Sequence, residues 1–168
     1  LLASSAASDV YKRQSYDYLW NEVRVKGGAY GAGFQTARTG NLRFYSYRDP
    51  HLDDTLARFA RASEWLAKFD PAAEAMEGYV VSTVAGFDTP LKARALVRRQ
   101  DGDFFGGRTP ESRAATRAQM IDADAAALRA LAGPIAEAVA MDAVCVFGSK
   151  DIIEASDAGL AVIDLLNE

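Results

Sequence analysis

The chain passes from a predicted helix into a predicted sheet through the stretch Arg24-Val25-Lys26-Gly27-Gly28-Ala29-Tyr30-Gly31. Its glycines carry no side chains, so the turn can bend tightly and another backbone can approach it closely. A guanidinium, on Arg24, and a phenol, on Tyr30, stand at the two ends of this turn and supply hydrogen-bond donors beside that approach. The stretch therefore marks a junction of the fold and a candidate binding site.

The segments on either side of this junction predict an α+β fold. Before it, residues 16–24 carry apolar side chains four residues apart, which is the spacing of one helix face. After it the period changes to two, because residues 29–37 and 42–47 alternate. The turn residues Thr39-Gly40-Asn41 between these two segments predict an antiparallel pair of strands. With a third, buried strand predicted over residues 143–147, we expect an antiparallel-containing sheet with helices on one face.

Helices are predicted to follow the hairpin. Asp49 and Pro50 are typical of a helix N-terminus, and an apolar stripe continues that helix to Leu66. Asp70-Pro71 predicts the start of a second helix that ends near Gly86. The later segments are predicted, in chain order, as a short helix over 90–97, a loop over 99–108, a long helix over 109–130, a short helix ending near Met141 and a closing helix over 158–166.

The same junction resembles a known family of peptidases. Residues 19–24 leading into Gly27-Gly28-Ala29-Tyr30-Gly31, and then Tyr47-Arg48-Asp49-Pro50, are similar to the C-terminal half of the presequence protease group of zinc metallopeptidases. That group belongs to the pitrilysin/insulinase superfamily, and the resemblance runs from about Ser15 to the end of the chain. It implies that the fold is a LuxS/MPP-like repeat unit of this superfamily. It also implies that residues 15–168 are the C-terminal domain of a longer peptidase.

The resemblance implies roles for individual residues. Arg24 and Tyr30 match an arginine and a tyrosine, six residues apart, that reach the catalytic centre from the C-terminal half of such peptidases. Tyr30 would stabilise the oxyanion and Arg24 would orient the peptide backbone. The residues implied to bind substrate are Gly27, Gly28, Ala29 and Gly31. The residues alone leave another interpretation open, because an arginine is favourable at a helix C-terminus and a tyrosine on a strand face is ordinarily part of the core.

The zinc ligands of the superfamily are not found in this sequence. The superfamily binds zinc through an inverted His-x-x-Glu-His motif, whereas this chain has one histidine, His51, and no such motif. His51 directly follows Pro50 and is predicted to be a solvated surface residue. The resemblance therefore implies that the N-terminal half of the complete enzyme binds the zinc, and that this chain alone is inactive. A catalytically silent, peptide-binding or assembly subunit of the same superfamily is the alternative.

Composition narrows the choice of partners. The 168 residues, 49% of them hydrophobic, suffice for one domain with a substantial core. A net charge of −4 argues against a nucleic-acid partner, and no apolar run is long enough to predict a membrane span. Cys145 lies in an apolar run and is predicted to be buried. We expect a peptide substrate and the N-terminal half of the same protein as partners, and the cytoplasm as the compartment.

Residues 1–14 are not expected to belong to the fold. The chain begins with Leu1 instead of Met, and the small and polar residues that follow resemble non-native sequence. We therefore expect residues 1–14 to be a non-native or disordered tail. An alanine-rich helical extension is the alternative.

Overall fold

A computed structural model describes residues 17–37 and 41–163 of the chain. Within these ranges the fold is helix-rich and contains a two-stranded antiparallel sheet, so the α+β class is confirmed. The predicted tail, residues 1–14, lies outside the described residues.

The chain enters the sheet from a π-helix, Trp20–Val25, which continues the helical residues 17–19. The wider turn is visible in the Lys26 N–H, which donates to the carbonyl of Asn21, five residues earlier, at 3.0 Å. Leu19, just before the π-helix, and Val23 within it are fully buried, as their four-residue spacing predicts. The predicted helix is therefore confirmed where it is described, but with π-type hydrogen bonding that a pattern of apolar residues does not reveal.

The predicted hairpin consists of β1, Gly31–Thr36, and β2, Leu42–Tyr47. The two strands pair in antiparallel register, with Phe34 opposite Phe44. Directly opposed residues share a face of the sheet, and these two rings meet with their centroids 4.9 Å apart. Phe44 also stacks on Phe59, so this face is covered by the helix that follows the hairpin.

After the hairpin, the described part of the chain contains seven α-helices. In chain order they are α1 (Leu52–Ala67), α2 (Ala73–Phe87), α3 (Ala93–Phe105), α4 (Pro110–Ile121), α5 (Ala125–Arg129), α6 (Ala132–Val139) and α7 (Lys150–Glu154). α1 packs on α5, α6 and the π-helix, whereas α2 packs on α4. The main core consists of Leu19, Val23, Ala29, Phe34, Leu66, Phe69, Leu128, Leu131, Ala132 and Ile135. The junction of the fold thus rests on the same core as β1 and α1.

The helix after the hairpin starts slightly later than its sequence signals predict. α1 begins at Leu52, and the Asp49 carboxylate does not cap it directly but accepts a hydrogen bond from the His51 N–H at 3.0 Å. Asp53 and Asp54 occupy the first turn, where negative charge is favourable. His51 is exposed, as predicted.

Two predictions in the second half of the chain are wrong. Residues 143–147 form no strand, and Cys145, predicted to be buried within it, is exposed. A strand needs a neighbour for its N–H and C=O groups, and no described strand pairs with this segment. The loop predicted over 99–108 is mostly helical, because α3 continues to Phe105 through Gly102, which costs only about 1 kcal/mol.

The long helix predicted over residues 109–130 is interrupted. α4 ends at Ile121, and Asp124 begins α5 by accepting a hydrogen bond from the Ala127 N–H at 2.7 Å. Such a side-chain cap competes with continuation of the preceding helix. Residues 158–163 are not helical, so the predicted closing helix is wrong there, and its remaining residues lie outside the described part.

Tyr79 on α2 connects that helix to the beginning of the described chain. Its hydroxyl donates to the Asp17 carboxylate, and its ring contacts Phe69 with the centroids 6.2 Å apart. Burial, followed by the hydrogen bond to Asp17 and the charge of that carboxylate, raises the pKa of Tyr79 to about 12. The folded chain therefore holds a proton that the unfolded chain releases near pH 10.

We expect the free energy of unfolding to fall as the pH rises from about 10 to about 12, because the unfolded state binds fewer protons than the folded state in this window. Tyr79→Phe is expected to make this fall shallower. Urea unfolding at a series of alkaline pH values measures both slopes. Tyr18, whose pKa is also raised by burial, remains in both proteins and cancels in the comparison. Equal slopes for the two proteins would contradict the role of Tyr79.

Candidate functional site

The glycine turn folds the chain back onto the π-helix. The Gly28 N–H donates to the carbonyl of Arg24 at 2.9 Å, and Gly28 has a φ of +79°, a conformation that strains residues with a Cβ. A Cβ on Gly27 would lie 2.4 Å from the Val23 carbonyl oxygen and 2.6 Å from Nη1 of Arg58. The fold itself therefore requires glycine at both positions.

The π-helix that leads into this turn is anchored to α1. The Tyr18 hydroxyl donates to the carbonyl of Arg58 at 2.8 Å, and its ring meets Trp65 with the centroids 5.2 Å apart. Burial raises the pKa of Tyr18, so the phenol keeps its proton and remains a donor. The contacts of Tyr18 with α1 thus hold the segment before the turn in place.

The four residues predicted to bind substrate differ in what surrounds them. Gly27 is buried, and Ala29 is part of the core. Gly28 is exposed. Gly31, at the start of β1, has no described atom within 4 Å of the place that a Cβ would occupy. Substrate binding by these residues stays a prediction, and Gly31 is the position where the geometry leaves most room for it.

Arg24 lies in the last turn of the π-helix and stacks on an aromatic ring. Its guanidinium carbon is 3.7 Å from the centroid of the Trp20 indole, four residues earlier. No carboxylate among the described residues forms an ion pair with it, in contrast to the pairing of Arg117 with Asp88 at 2.7 Å. The ring fixes one face of the guanidinium, and its N–H groups remain available to another partner.

Tyr30 presents its phenol outward from a fixed backbone. Its N–H donates to the carbonyls of Tyr47, at 3.1 Å, and Arg48, at 3.3 Å, and its ring meets that of Tyr47 edge-on. The side chain is 65% exposed, and its hydroxyl has no hydrogen-bond partner in the described part of the chain. This exposure excludes the interpretation of Tyr30 as a core residue.

Arg48, which follows β2, also lies beside Tyr30. Its φ of +48° is in the left-handed region, which among described non-glycine residues is shared only with Asp142. Its guanidinium carbon lies 5.7 Å from the ring centroid of Tyr30 and 5.4 Å from that of Tyr47. In the sequence, Arg48 is marked only by the motif Tyr47-Arg48-Asp49-Pro50. The last two residues of this motif are also typical of a helix N-terminus, so the motif does not by itself indicate a role for Arg48.

The predicted pair, Arg24 and Tyr30, therefore lies at the two ends of one hydrogen-bonded turn, each held against its own aromatic partner. The Trp20 ring lies against the guanidinium of Arg24, while the Tyr47 ring and the Arg48 guanidinium lie 6.1 Å and 5.7 Å from the ring centroid of Tyr30. Both groups are hydrogen-bond donors without an acceptor among the described side chains. Such a surface can bind a carbonyl or carboxylate oxygen of an approaching peptide.

The described residues do not provide a zinc site. In residues 17–37 and 41–163, no three His, Cys, Asp or Glu side chains are grouped so that they could hold a metal ion. The residues of this site thus do not fit zinc, and their chemistry is that of hydrogen-bond donors. No helix in the same ranges has the length and apolar character needed to cross a membrane.

Comparison with known proteins places this turn within a family. The sequence model of the family described as "PreP C-terminal domain" matches residues 5–149. Protein HypA of Clostridium perfringens is 30% identical over 151 residues, which cover 90% of this chain and 16% of that protein. The mitochondrial presequence protease of Gibberella zeae is 33% identical over 109 residues, which cover 64% of this chain and 11% of that protein.

The matched part is a small share of each relative, and in the mitochondrial presequence protease of Xenopus laevis it is 7% of the length, at 35% identity over 74 residues. The family match nevertheless covers most of the present chain, including the turn, the hairpin and the helices up to α6. The chain therefore belongs to the family of presequence protease (PreP) C-terminal domains, within the pitrilysin group of peptidases.

Proposed function

We propose that this chain is the C-terminal, non-zinc-binding domain of a presequence protease-like zinc endopeptidase that encloses and hydrolyses peptides. Family membership supports a peptidase context. The observation that carries the proposal is the exposed Tyr30 hydroxyl, which stands on a fixed backbone without a partner among described residues. In this proposal the domain is a LuxS/MPP-like repeat unit, the N-terminal half holds the zinc, and the present chain alone is inactive.

Tyr30 would act on the oxygen that becomes negative during peptide hydrolysis. Charge develops on the scissile carbonyl oxygen in the transition state, and a donor that is already in place stabilises that state more than the substrate. The Tyr30 amide is held by two carbonyls and its ring by Tyr47 and Arg48, so the hydroxyl needs little reorganisation. The phenol would therefore contribute mainly to kcat.

Arg24 would hold the peptide in both the ground state and the transition state. Its guanidinium offers several donors in a rigid fork, which suits a peptide carbonyl or a carboxylate. Gly31 would allow the extended peptide backbone to come close to β1, since no side chain stands there. Relatives named presequence proteases support peptides as the substrate class. The cytoplasmic compartment stays a prediction.

Arg24→Ala in the complete peptidase is expected to raise KM about 10-fold, because a hydrogen bond to a charged group contributes about 1.5 kcal/mol or more. Arg24→Lys is expected to recover part of this loss, since lysine keeps the charge but not the fork. Steady-state kinetics on a peptide substrate measures both variants.

Arg61→Ala is the matched control, because Arg61 is exposed on α1 and donates to the carbonyl of Ala57 within its own helix at 3.3 Å. It is expected to leave KM unchanged. A normal KM for Arg24→Ala, in a folded and metal-loaded enzyme, would remove Arg24 from the substrate site. A complete, folded protein without any peptidase activity would instead support the silent-subunit interpretation.

A further inference from the structure

We propose that Arg48 is a positioning residue that holds the Tyr30 phenol in its working orientation. The inference rests on the proposed function, because it assigns a task to Arg48 only if the Tyr30 hydroxyl acts on substrate. Two independent features support it: the strained backbone of Arg48 and the placement of its guanidinium.

The backbone of Arg48 brings two carbonyls onto one amide. Arg48 directly follows β2 and has a φ of +48°, in the left-handed region that is unfavourable for a residue with a Cβ. In this conformation the carbonyls of Tyr47 and Arg48 both accept from the Tyr30 N–H, at 3.1 Å and 3.3 Å. The strained backbone of Arg48 thus occurs together with two hydrogen bonds from the Tyr30 N–H.

The guanidinium of Arg48 is placed against rings instead of carboxylates. It lies 5.7 Å from the Tyr30 ring centroid and 5.4 Å from that of Tyr47, and no described carboxylate forms an ion pair with it. The neighbouring Asp49 accepts instead from the His51 N–H. Cation–π attraction to two rings that also meet edge-on, with centroids 6.1 Å apart, restricts the orientations of the phenol. Arg48 therefore acts on the reaction through Tyr30.

Glycine at this position separates the backbone role from the side-chain role. Glycine adopts a φ of +48° without strain, so Arg48→Gly is expected to keep the two carbonyls in place while it removes the side chain with its cation. In the complete peptidase we expect Arg48→Gly to lower kcat about 2- to 5-fold, with KM and the melting temperature nearly unchanged. Arg48→Lys, which keeps a cation, is expected to retain most of kcat.

Asp142→Gly is the matched control for relief of backbone strain. Asp142 has a φ of +50° and lies beyond α6, so this variant is expected to leave kcat unchanged. Arg48→Gln is the second variant, for use if Arg48→Gly lowers the melting temperature. It removes the charge and leaves the backbone strained, and it is expected to lower kcat by the same factor as Arg48→Gly.

A double variant distinguishes positioning from a direct role. In a Tyr30→Phe background the hydroxyl is absent, so adding Arg48→Gly is expected to change kcat by less than about 2-fold. An equal loss in both backgrounds, or a normal kcat for Arg48→Gly beside a large loss for Tyr30→Phe, would overturn this inference and leave the proposed function standing. A normal kcat for Tyr30→Phe would overturn both.

Discussion

Tyr30→Phe in the complete peptidase is expected to lower kcat about 100-fold and to leave KM nearly unchanged, as for the loss of one oxyanion donor. The variant removes one hydroxyl and keeps the ring, so the contacts with Tyr47 and Arg48 remain. The hydroxyl has no partner among the described residues, so its removal breaks no hydrogen bond within residues 17–37 and 41–163. The loss would report on the reaction and not on the fold.

Tyr45→Phe provides the control for this measurement. Tyr45 is another partly exposed tyrosine of the hairpin, at 37% exposure, and it pairs with Gly33 across the sheet. The kcat of Tyr45→Phe is expected to stay within about 2-fold of the kcat of the unmodified enzyme. If Tyr30→Phe behaves like Tyr45→Phe, in protein of normal zinc content, Tyr30 has no catalytic role.

Gly27→Ala is expected to lower the free energy of unfolding by on the order of 3 kcal/mol, the upper part of the range for overpacking. The new Cβ would meet the carbonyl oxygen of Val23 at 2.4 Å, and a backbone atom in a hydrogen-bonded helix cannot move aside easily. It would also meet Arg58, whose side chain is only 15% exposed. Urea unfolding of the 168-residue chain measures the change.

Gly31→Ala is the matched substitution, four residues further along the same stretch. The space around its Cβ position is open, so the free energy of unfolding is expected to change by less than about 1 kcal/mol. Equal destabilisation by the two substitutions would show that a general intolerance of side chains in this segment, and not the approach of Val23, determines the effect of Gly27→Ala.

The local signals in the sequence predicted the first half of the fold well. The hairpin was predictable because alternation over residues 42–47 and the turn before it specify both strand type and pairing, and β2 spans that range. The prediction of a strand over residues 143–147 was wrong because an apolar run suggests burial but does not show whether a partner strand exists. The loop predicted over residues 99–108 was wrong because two aspartates flanking Gly102 are typical of loops. A single glycine is only mildly unfavourable in a helix, and α3 continues through it.

The site was predictable in its residues and not in its arrangement. Arg24 and Tyr30 follow from a motif, but the π-type hydrogen bonding of the segment that carries Trp20 and Arg24 depends on which carbonyl each N–H selects. Tyr30 lies just before β1, which starts at Gly31, two residues later than the predicted start at Ala29. Arg48 belongs to a motif visible in the sequence, but its placement beside Tyr30 is visible only in its dihedral angle and its two aromatic contacts, which no spacing rule encodes.

The stacking of Arg24 on Trp20 makes the Trp20 indole an intrinsic fluorescent probe of the site. The chain has two tryptophans; Trp20 is 47% exposed beneath the guanidinium, whereas Trp65 is partly buried between Tyr18 and Phe69. A dissolved quencher such as acrylamide therefore reaches the Trp20 indole more readily than that of Trp65. A peptide that draws Arg24 away from the ring changes the emission of one fluorophore and leaves the other as an internal reference, so occupancy can be followed without cleavage.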